Sequence, residues 1–408
     1  MNFVFLRFEI MKFSKMLEWR KFSLPFVCVV FHLLRLHPFR TKRVWLFACW
    51  IGKKYDDNSK FLFEHVCKNH PEIRCVWITR NPEVCGHVKS LGYECYTSTS
   101  LKGVFWMLRG GVAIMTNGID DFSPIPLIGG AKIIALWHGV GGFKKIYNEN
   151  YSGRSLLIKK TVDRFYSWVH RDFSLATSEY TAQRTMEQFN VKRNSIMITG
   201  QPRNDLFRIG MNPKEVFKGV LDKSFKKIVL YMPTYRVNPQ NGQDVVRKIL
   251  EDLTVNETFL NYLKQNGVLF LVKLHPLTKF KMDTAILNLK ILGDKDVLSV
   301  QHLLMAADCL VTDYSSCCVD YALLKRPIVF FVPDEEKYLS YSSLNDAYSK
   351  VVQEKAQNVE ELVALLLTGN ISQANLLNEI FEDPSIAGTC YSENTYQKIC
   401  EKCKVVIG

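Results

Sequence analysis

Runs of strand length with almost no polar alternation recur along this chain, and they narrow its possible folds more than any other feature. RVWLFAC (43–49), CVWITR (75–80), VAIMTNG (112–118), AKIIALWHG (131–139), FSLATSEY (173–180) and SIMITG (195–200) fill the first half. KIVLYMP (227–233), VLFLVKLHP (268–276), CLVTD (309–313) and PIVFFVP (327–333) fill the second. A strand that is apolar at consecutive positions is buried on both faces, as in parallel sheets covered by crossover helices. Helical stretches do alternate with these runs: Asn58 to His70, Pro82 to Gly92, Gln243 to Gly267 and Ser315 to Lys325. Pro82 at a first turn and Gly92 past an end follow the usual helix punctuation. The pattern predicts an α/β protein, and 408 residues is long for one core and comfortable for two. We read 43–200 and 227–370 as two doubly wound, Rossmann-type domains facing a cleft. Residues 201–226, punctuated by Pro202, Gly210, Pro213 and Gly219, read as a linker, and 371–408 as C-terminal helices.

Charge and cysteine content bound the partners. A net charge of +13 indicates an anion, which could be a nucleotide, nucleic acid or a membrane face. No nucleic-acid module is recognisable, and the basic residues are dispersed, so nucleic acid is not expected as a partner. The 12 cysteines fall mostly inside expected strands and helices, and Cys400 with Cys403 is a lone C-x-x-C. A zinc site needs more ligands at suitable spacing, so reduced core thiols are expected. Residues 1–42 are rich in Phe, Leu, Val, Arg and Lys, with Glu9 and Glu18 the only acids. The longest apolar piece, Leu24 to Leu36, is broken by His32 and Arg35 and is too short to span a bilayer. We read 1–42 as an amphipathic segment lying on an anionic membrane surface, with an ordinary core helix as the alternative.

Chemistry-bearing side chains cluster where strands end. His138 closes AKIIALWHG and His275 closes VLFLVKLHP, each opening a loop with Gly or Pro. In open α/β sheets ligands bind beyond the carboxyl ends of the strands. Imidazole titrates nearest neutrality, so both histidines are candidates to move a proton or hold a phosphate. Position alone leaves open two satisfied structural histidines. Ser315 and Ser316 stand where a helix begins, which fits either an anion site or a simple cap. Asp320, one turn on, suits sugar hydroxyls better than phosphate. Thr234 follows Pro233 in PTYR, and Arg203 in GQPRND carries the fork geometry that grips phosphate. The segment 141–170 is basic, tyrosine-rich and the least regular part of the first half.

Five fragments in order, WHGVGGFKKI, GQPRNDLF, YMPTYR, KLHP and TDYSSCCVDYALLKRPIVFF, strongly resemble the CDP-glycerol glycerophosphotransferase family. That family primes or polymerises poly(glycerol phosphate) teichoic acids and related capsules. The similarity runs from about Trp45 to Tyr338, and YDDNSKFLFEHV resembles the family's entry to its first domain. The resemblance implies a GT-B fold, peripheral attachment to the inner face of the membrane, and metal-independent transfer with no cofactor. By motif, His138 matches the proposed base, and His275 the second essential histidine, on the donor phosphates. The donor site maps onto Trp137, Gly139, Val140, Gly141, Arg203, Pro233, Thr234, Lys273, Leu274, Ser315, Ser316 and Asp320. Two departures stand out. Val140-Gly141 replaces a common Thr-Pro, and Lys273-Leu274-His275 replaces a common Arg-Met-His, which keeps the charge and loses the planar fork.

The reaction this implies is attack of an acceptor hydroxyl on the β-phosphorus of CDP-glycerol, with release of CMP. The acceptor would be a lipid-linked saccharide or growing polymer at the cytoplasmic face of the membrane. A CDP-ribitol-dependent transferase is the nearest alternative. A nucleotide-sugar transferase or epimerase on the same fold is more distant, and a catalytically silent nucleotide-binding scaffold more distant still.

Overall fold

The computed structural model describes residues 39–125, 127–145, 171–209, 225–236, 242–275, 286–292 and 299–405, with isolated positions 29, 33, 34, 36, 153, 154, 157 and 278. Most of the expected membrane segment 1–42, most of the basic loop 141–170 and residues 210–224 of the expected linker lie outside the described residues. Among the described residues, no helix is long and apolar enough to cross a membrane. The chain divides into two compact units. The first runs to His138, resumes up to Asp205 and returns from Asp383; the second comprises the loop from Gly139 and then Leu206–Glu382.

The first unit is built on a parallel sheet of β1 (Thr41–Phe47), β2 (Arg74–Thr79), β3 (Cys95–Thr97), β4 (Gly110–Met115), β5 (Lys132–Ala135), β6 (Phe173–Ala176) and β7 (Ile196–Ile198). Their spatial order is β3-β2-β1-β4-β5-β6-β7, the doubly wound order extended by one strand. The apolar runs are explained by β1. Trp45 and Phe47 enter one core cluster with Leu62, Phe63 and Trp77, while Val44 and Leu46 enter another with Met107 and Ile133. A period of two with both faces buried leaves no polar position to alternate. Covering helices include α1 (Asp57–Asn69), α2 (Pro82–Ser90), α3 (Leu101–Arg109) and α4 (Glu179–Phe189). The run FSLATSEY is not strand throughout. Its strand stops at Ala176, because Ser178 and Thr181 form a reciprocal capping box that starts α4.

The second unit repeats the plan with β8 (Lys227–Met232), β9 (Val268–Lys273), β10 (Leu289–Leu292), β11 (Cys309–Thr312), β12 (Ile328–Phe331) and β13 (Lys355–Ala356). The order β10-β9-β8-β11-β12-β13 is again doubly wound and all its pairs are parallel. Its helices include α5 (Gly242–Val255), α6 (Glu257–Gln265), α7 (Val300–Ala306), α8 (Cys317–Ala322), α9 (Val359–Thr368) and α10 (Ser372–Phe381). The single helix expected over 243–267 is two. Asn256 interrupts it and accepts a hydrogen bond from the Phe259 N–H at 2.9 Å, capping α6.

Two domain expectations change. The helices beyond 371 are not one region: α10 belongs to the second unit, whereas α11 (Tyr391–Cys403) belongs to the first. There Tyr396, Ile399, Cys400 and Cys403 join the core around Trp45. The expected linker also begins too early, because Pro202, Arg203 and Asn204 are buried in the first unit. The cysteines among the described residues are free, and most are buried.

Candidate active site

In the first unit the site forms beyond the carboxyl ends of β1, β4 and β5. After Ala135 the chain turns at Trp137, whose φ of 59° is left-handed, an outlier for so large a side chain. Packing holds it there: the indole lies edge-on to Phe189 at 4.9 Å, and Arg171 stands 5.8 Å from its ring. His138 follows, its ring 5.4 Å from Trp50 and 4.3 Å from Trp137. Burial pushes the His138 pKa below its usual value, with Asp57 acting against that shift and Arg203 with it. Its Nδ1 is enclosed and has no hydrogen-bond partner among the described residues.

Trp50 reaches the histidine from a second strained turn. Trp50, Ile51 and Gly52 have φ of 48°, 56° and 66° in succession. A Cβ at position 52 would lie 2.8 Å from the Asp121 carbonyl oxygen, so glycine is required there. The fully buried Asp121 pins the turn: one oxygen accepts the Ile51 N–H at 2.6 Å, the other the Thr116 and Asn117 N–H groups at 2.9 and 2.8 Å. Burial raises the Asp121 pKa to about 6 against the pull of those donors. None of Trp50, Asp57, Asn58 or Asp121 was singled out from sequence. The run YDDN was the available signal for two of them.

The fragment GQPRND is a structural hub of this unit. Arg203 Nη1 donates to Asp57 Oδ1 at 2.8 Å and to the His138 carbonyl at 2.9 Å. Asn58 donates to the Trp137 carbonyl at 3.0 Å and to Gln201 at 3.3 Å, and accepts the Arg203 N–H at 3.2 Å. Asp205 receives the Tyr391 and Ser392 N–H groups at 2.7 and 2.8 Å, capping α11. A Cβ at Gly200 would fall 2.1 Å from the Tyr391 ring. The guanidinium of Arg203, a residue expected on a phosphate, also anchors the loop carrying His138.

In the second unit the expected residues gather beyond β8, β9 and β11. Pro233 and Thr234 follow β8 and are buried, and Thr234 Oγ1 has no hydrogen-bond partner among the described residues. The Thr234 N–H donates to Asp313 at 2.9 Å. Lys273 ends β9 and is buried, Leu274 is half-buried, and His275 is exposed with its ring 5.5 Å from Tyr235. Ser315 and Ser316 precede α8, where the Ser316 hydroxyl makes no capping bond. Gly142 packs on this turn: with φ of 48°, a Cβ there would meet Ser316 Cα at 2.9 Å. The Gly142 carbonyl accepts from Asn345 at 2.8 Å, fastening the loop that begins at Gly139, Val140 and Gly141. Asp320, expected near sugar hydroxyls, is buried within α8, 3.4 Å from the Gln301 amide of α7.

A buried ion cluster underlies this half-site. Arg236 is 2% exposed and donates to Asp313 at 2.7 Å and to both oxygens of Asp334 at 2.9 and 2.8 Å. Tyr314 and Tyr338, stacked at 3.8 Å, stand beside it. Lys144 lies near the same group. Burial lowers its pKa to about 8, with Asp313 opposing the shift and Arg236 adding to it. Arg236 sits in the PTYR fragment and Asp313 in TDYSS, yet their pairing joins the ends of neighbouring strands β8 and β11 that are far apart in sequence, and was not legible locally.

Two doubly wound α/β units, each with polar side chains beyond the carboxyl ends of its strands, define a GT-B-like protein. The chain belongs to the CDP-glycerol:poly(glycerophosphate) glycerophosphotransferase family, whose model matches residues 29–379. It is 31% identical over 261 residues to the teichoic acid glycerol-phosphate primase of Bacillus subtilis strain 168, covering 63% of this chain and 64% of that protein. It is 25% identical over 312 residues to the teichoic acid poly(glycerol phosphate) polymerase of Staphylococcus epidermidis, covering 72% of this chain and 40% of the relative. The chain thus spans less than two thirds of either relative's length. The solved structure of the wall teichoic acid polymerase TagF superposes with a TM-score of 0.71 at 20% identity, covering 98% of both chains.

Proposed function

We propose that the protein is a CDP-glycerol glycerophosphotransferase. It moves glycerol phosphate from CDP-glycerol to a hydroxyl of a lipid-linked saccharide or a growing teichoic-acid or capsule polymer, releasing CMP. The observation carrying this reading is His138, anchored through its carbonyl and kept toward the neutral, proton-accepting form by burial. The acceptor oxygen bonds to the β-phosphorus as the bridging P–O bond breaks. The hydroxyl proton passes to His138, and the bond's electron pair leaves with CMP. Thr234, Lys273, His275 and the Ser315–Ser316 turn are assigned to the diphosphate, with protein cations meeting the charge on CMP. Catalysis of this kind rests on positioning and electrostatics, and no cofactor or metal enters it. Arg203 acts one step away, by holding the His138 loop.

Glycerol as the donor's polyol is supported by the family and by the primase and transferase relatives. A ribitol donor is the second reading, because the teichoic acid poly(ribitol-phosphate) polymerase of Bacillus spizizenii is 26% identical over 337 residues. We further infer peripheral attachment at the cytoplasmic face of the cell membrane, supported by the basic, apolar composition of residues 1–42 and by the lipid-linked acceptor of this reading.

The test is nucleotide release by the purified chain with acceptor present, CMP from CDP-glycerol or CDP-ribitol and UDP from UDP-sugars, with wild type and His138→Ala compared. Turnover with CDP-glycerol should fall at least ~100-fold in a folded His138→Ala protein. Release from CDP-ribitol alone selects the second reading, and near wild-type turnover in the variant removes the base.

A further inference from the structure

Away from the candidate active site, three side chains from distant parts of the sequence converge on one point of the first unit. His65 lies in α1, His70 caps its C-terminus, and Glu393 sits in the first turn of α11. The Nε2 atoms of His65 and His70 stand 2.8 and 2.9 Å from the same oxygen of Glu393, and the three potential ligand atoms lie within 4.8 Å of one another. All three side chains are partly buried, with 17% to 31% exposure, so the point is shielded yet reachable.

Each group is also held from behind. Tyr396 stacks on the His70 ring at 3.5 Å, and its hydroxyl donates to Glu72 Oε1 at 2.6 Å. The same Glu72 oxygen lies 3.4 Å from His70 Nδ1. Asn69 stands 3.1 Å from His65 Nδ1, and Gln397 donates to the other Glu393 oxygen at 2.9 Å. Metal-bound histidines characteristically offer one ring nitrogen to the ion and have the other fixed by a carboxylate or amide. Here both Nε2 atoms point inward and both Nδ1 atoms have such a neighbour.

We propose that His65, His70 and Glu393 bind a first-row divalent cation of the zinc type, with water completing the coordination. Two imidazoles and a carboxylate are a donor set suited to Zn²⁺. Tetrahedral bonds of the usual length set ligand atoms roughly 3.3 Å apart, so each imidazole retreats from Glu393 by about half an ångström while the two Nε2 atoms, now within 4.8 Å of each other, settle to that same spacing. The bound ion joins α1 to α11, and it is separate from the transfer chemistry proposed above.

Isothermal titration of the metal-stripped full chain with Zn²⁺, paired with thermal unfolding, tests this. Wild type should take up zinc one-to-one and unfold at a higher temperature with zinc present. The His65→Ala/His70→Ala pair should bind at least tenfold more weakly and lose the thermal response. Glu393→Gln, which retains an acceptor oxygen for the two rings, should also bind at least tenfold more weakly, and serves alone if the double variant does not fold. No saturable uptake by wild type overturns the proposal. So does uptake unchanged in the variants, which would place zinc on the thiols. Transfer activity does not enter the readout, so failure here is distinguishable from failure of the proposed function.

Discussion

Replacing Arg203 by alanine separates two roles that the fragment GQPRND could serve. Arg203 is 7% exposed, and its guanidinium lies 2.8 Å from Asp57 Oδ1 and donates to the His138 carbonyl at 2.9 Å. Truncation leaves Asp57, itself 6% exposed, as a buried carboxylate without its counter-charge. Breaking one side of a buried pair costs about 3–5 kcal/mol, mainly from the stranded charge. In a unit of this size 1 kcal/mol moves the melting temperature by roughly 2–4 °C, so the first unit should melt about 6–20 °C lower. Scanning calorimetry is the assay, because two units need not unfold in one transition. Adding Asp57→Asn removes the stranded charge and should recover part of the loss. Turnover should fall with the loosened His138 loop, with little change in donor affinity. A melting temperature within ~2 °C of wild type, together with a donor KM raised tenfold or more, would refute this reasoning. It would return Arg203 to the phosphate.

Three further outcomes are expected. Burial holds the His138 pKa below 6.5, so its neutral form persists to lower pH and the acid limb of kcat/KM should have its midpoint below 6.5; a midpoint above that value excludes His138 as the group reported. Gly142→Ala forces a left-handed residue and a contact at 2.9 Å with Ser316 Cα, which should cost ~1–3 kcal/mol in the second unit and weaken donor binding; calorimetry and a donor titration check both. Removing residues 1–38 keeps Arg40, which donates to the Met107, Gly110, Leu127 and Gly129 carbonyls, and should release the protein from anionic vesicles while donor binding holds; unchanged vesicle binding points to the loop 141–170.

The parts of the fold that were legible are those where one local signal dominates. Val44 to Phe47 or Val268 to Lys273 can only be doubly buried strand, because no polar residue interrupts them before the end. β3 (CYT), β10 (LKIL) and β13 (KA) lie at sheet edges, are partly exposed, and lack the continuous apolar run that marks a doubly buried strand. Asn256 divides a continuous helical pattern through one hydrogen bond, a capping signal that an apolar stripe conceals. In the candidate site, strand-end histidines and serines were visible because ligand sites favour strand ends. Asp57, Asp121, Arg236 and Asp313 were not, since their meaning depends on partners 70 or more residues away. Arg203 shows the converse: its donor chemistry was legible, while its bonds to Asp57 and the His138 carbonyl were not.

The return of α11 to the first unit also sets the order in which the protein can be completed during synthesis. Tyr396, Ile399, Cys400 and Cys403 fill the space beside Trp45, and Asp205 waits for the Tyr391 and Ser392 N–H groups. At ~5–20 residues per second, the ribosome needs on the order of 10–40 s between making Asp205 and making α11. Throughout that interval the apolar flank of the first unit stays uncovered, whereas β8 to α10 are consecutive in sequence and can close before α11 arrives. The amino-terminal unit is therefore the last to be finished, and a nascent chain halted before Tyr391 presents that open flank to chaperones and proteases.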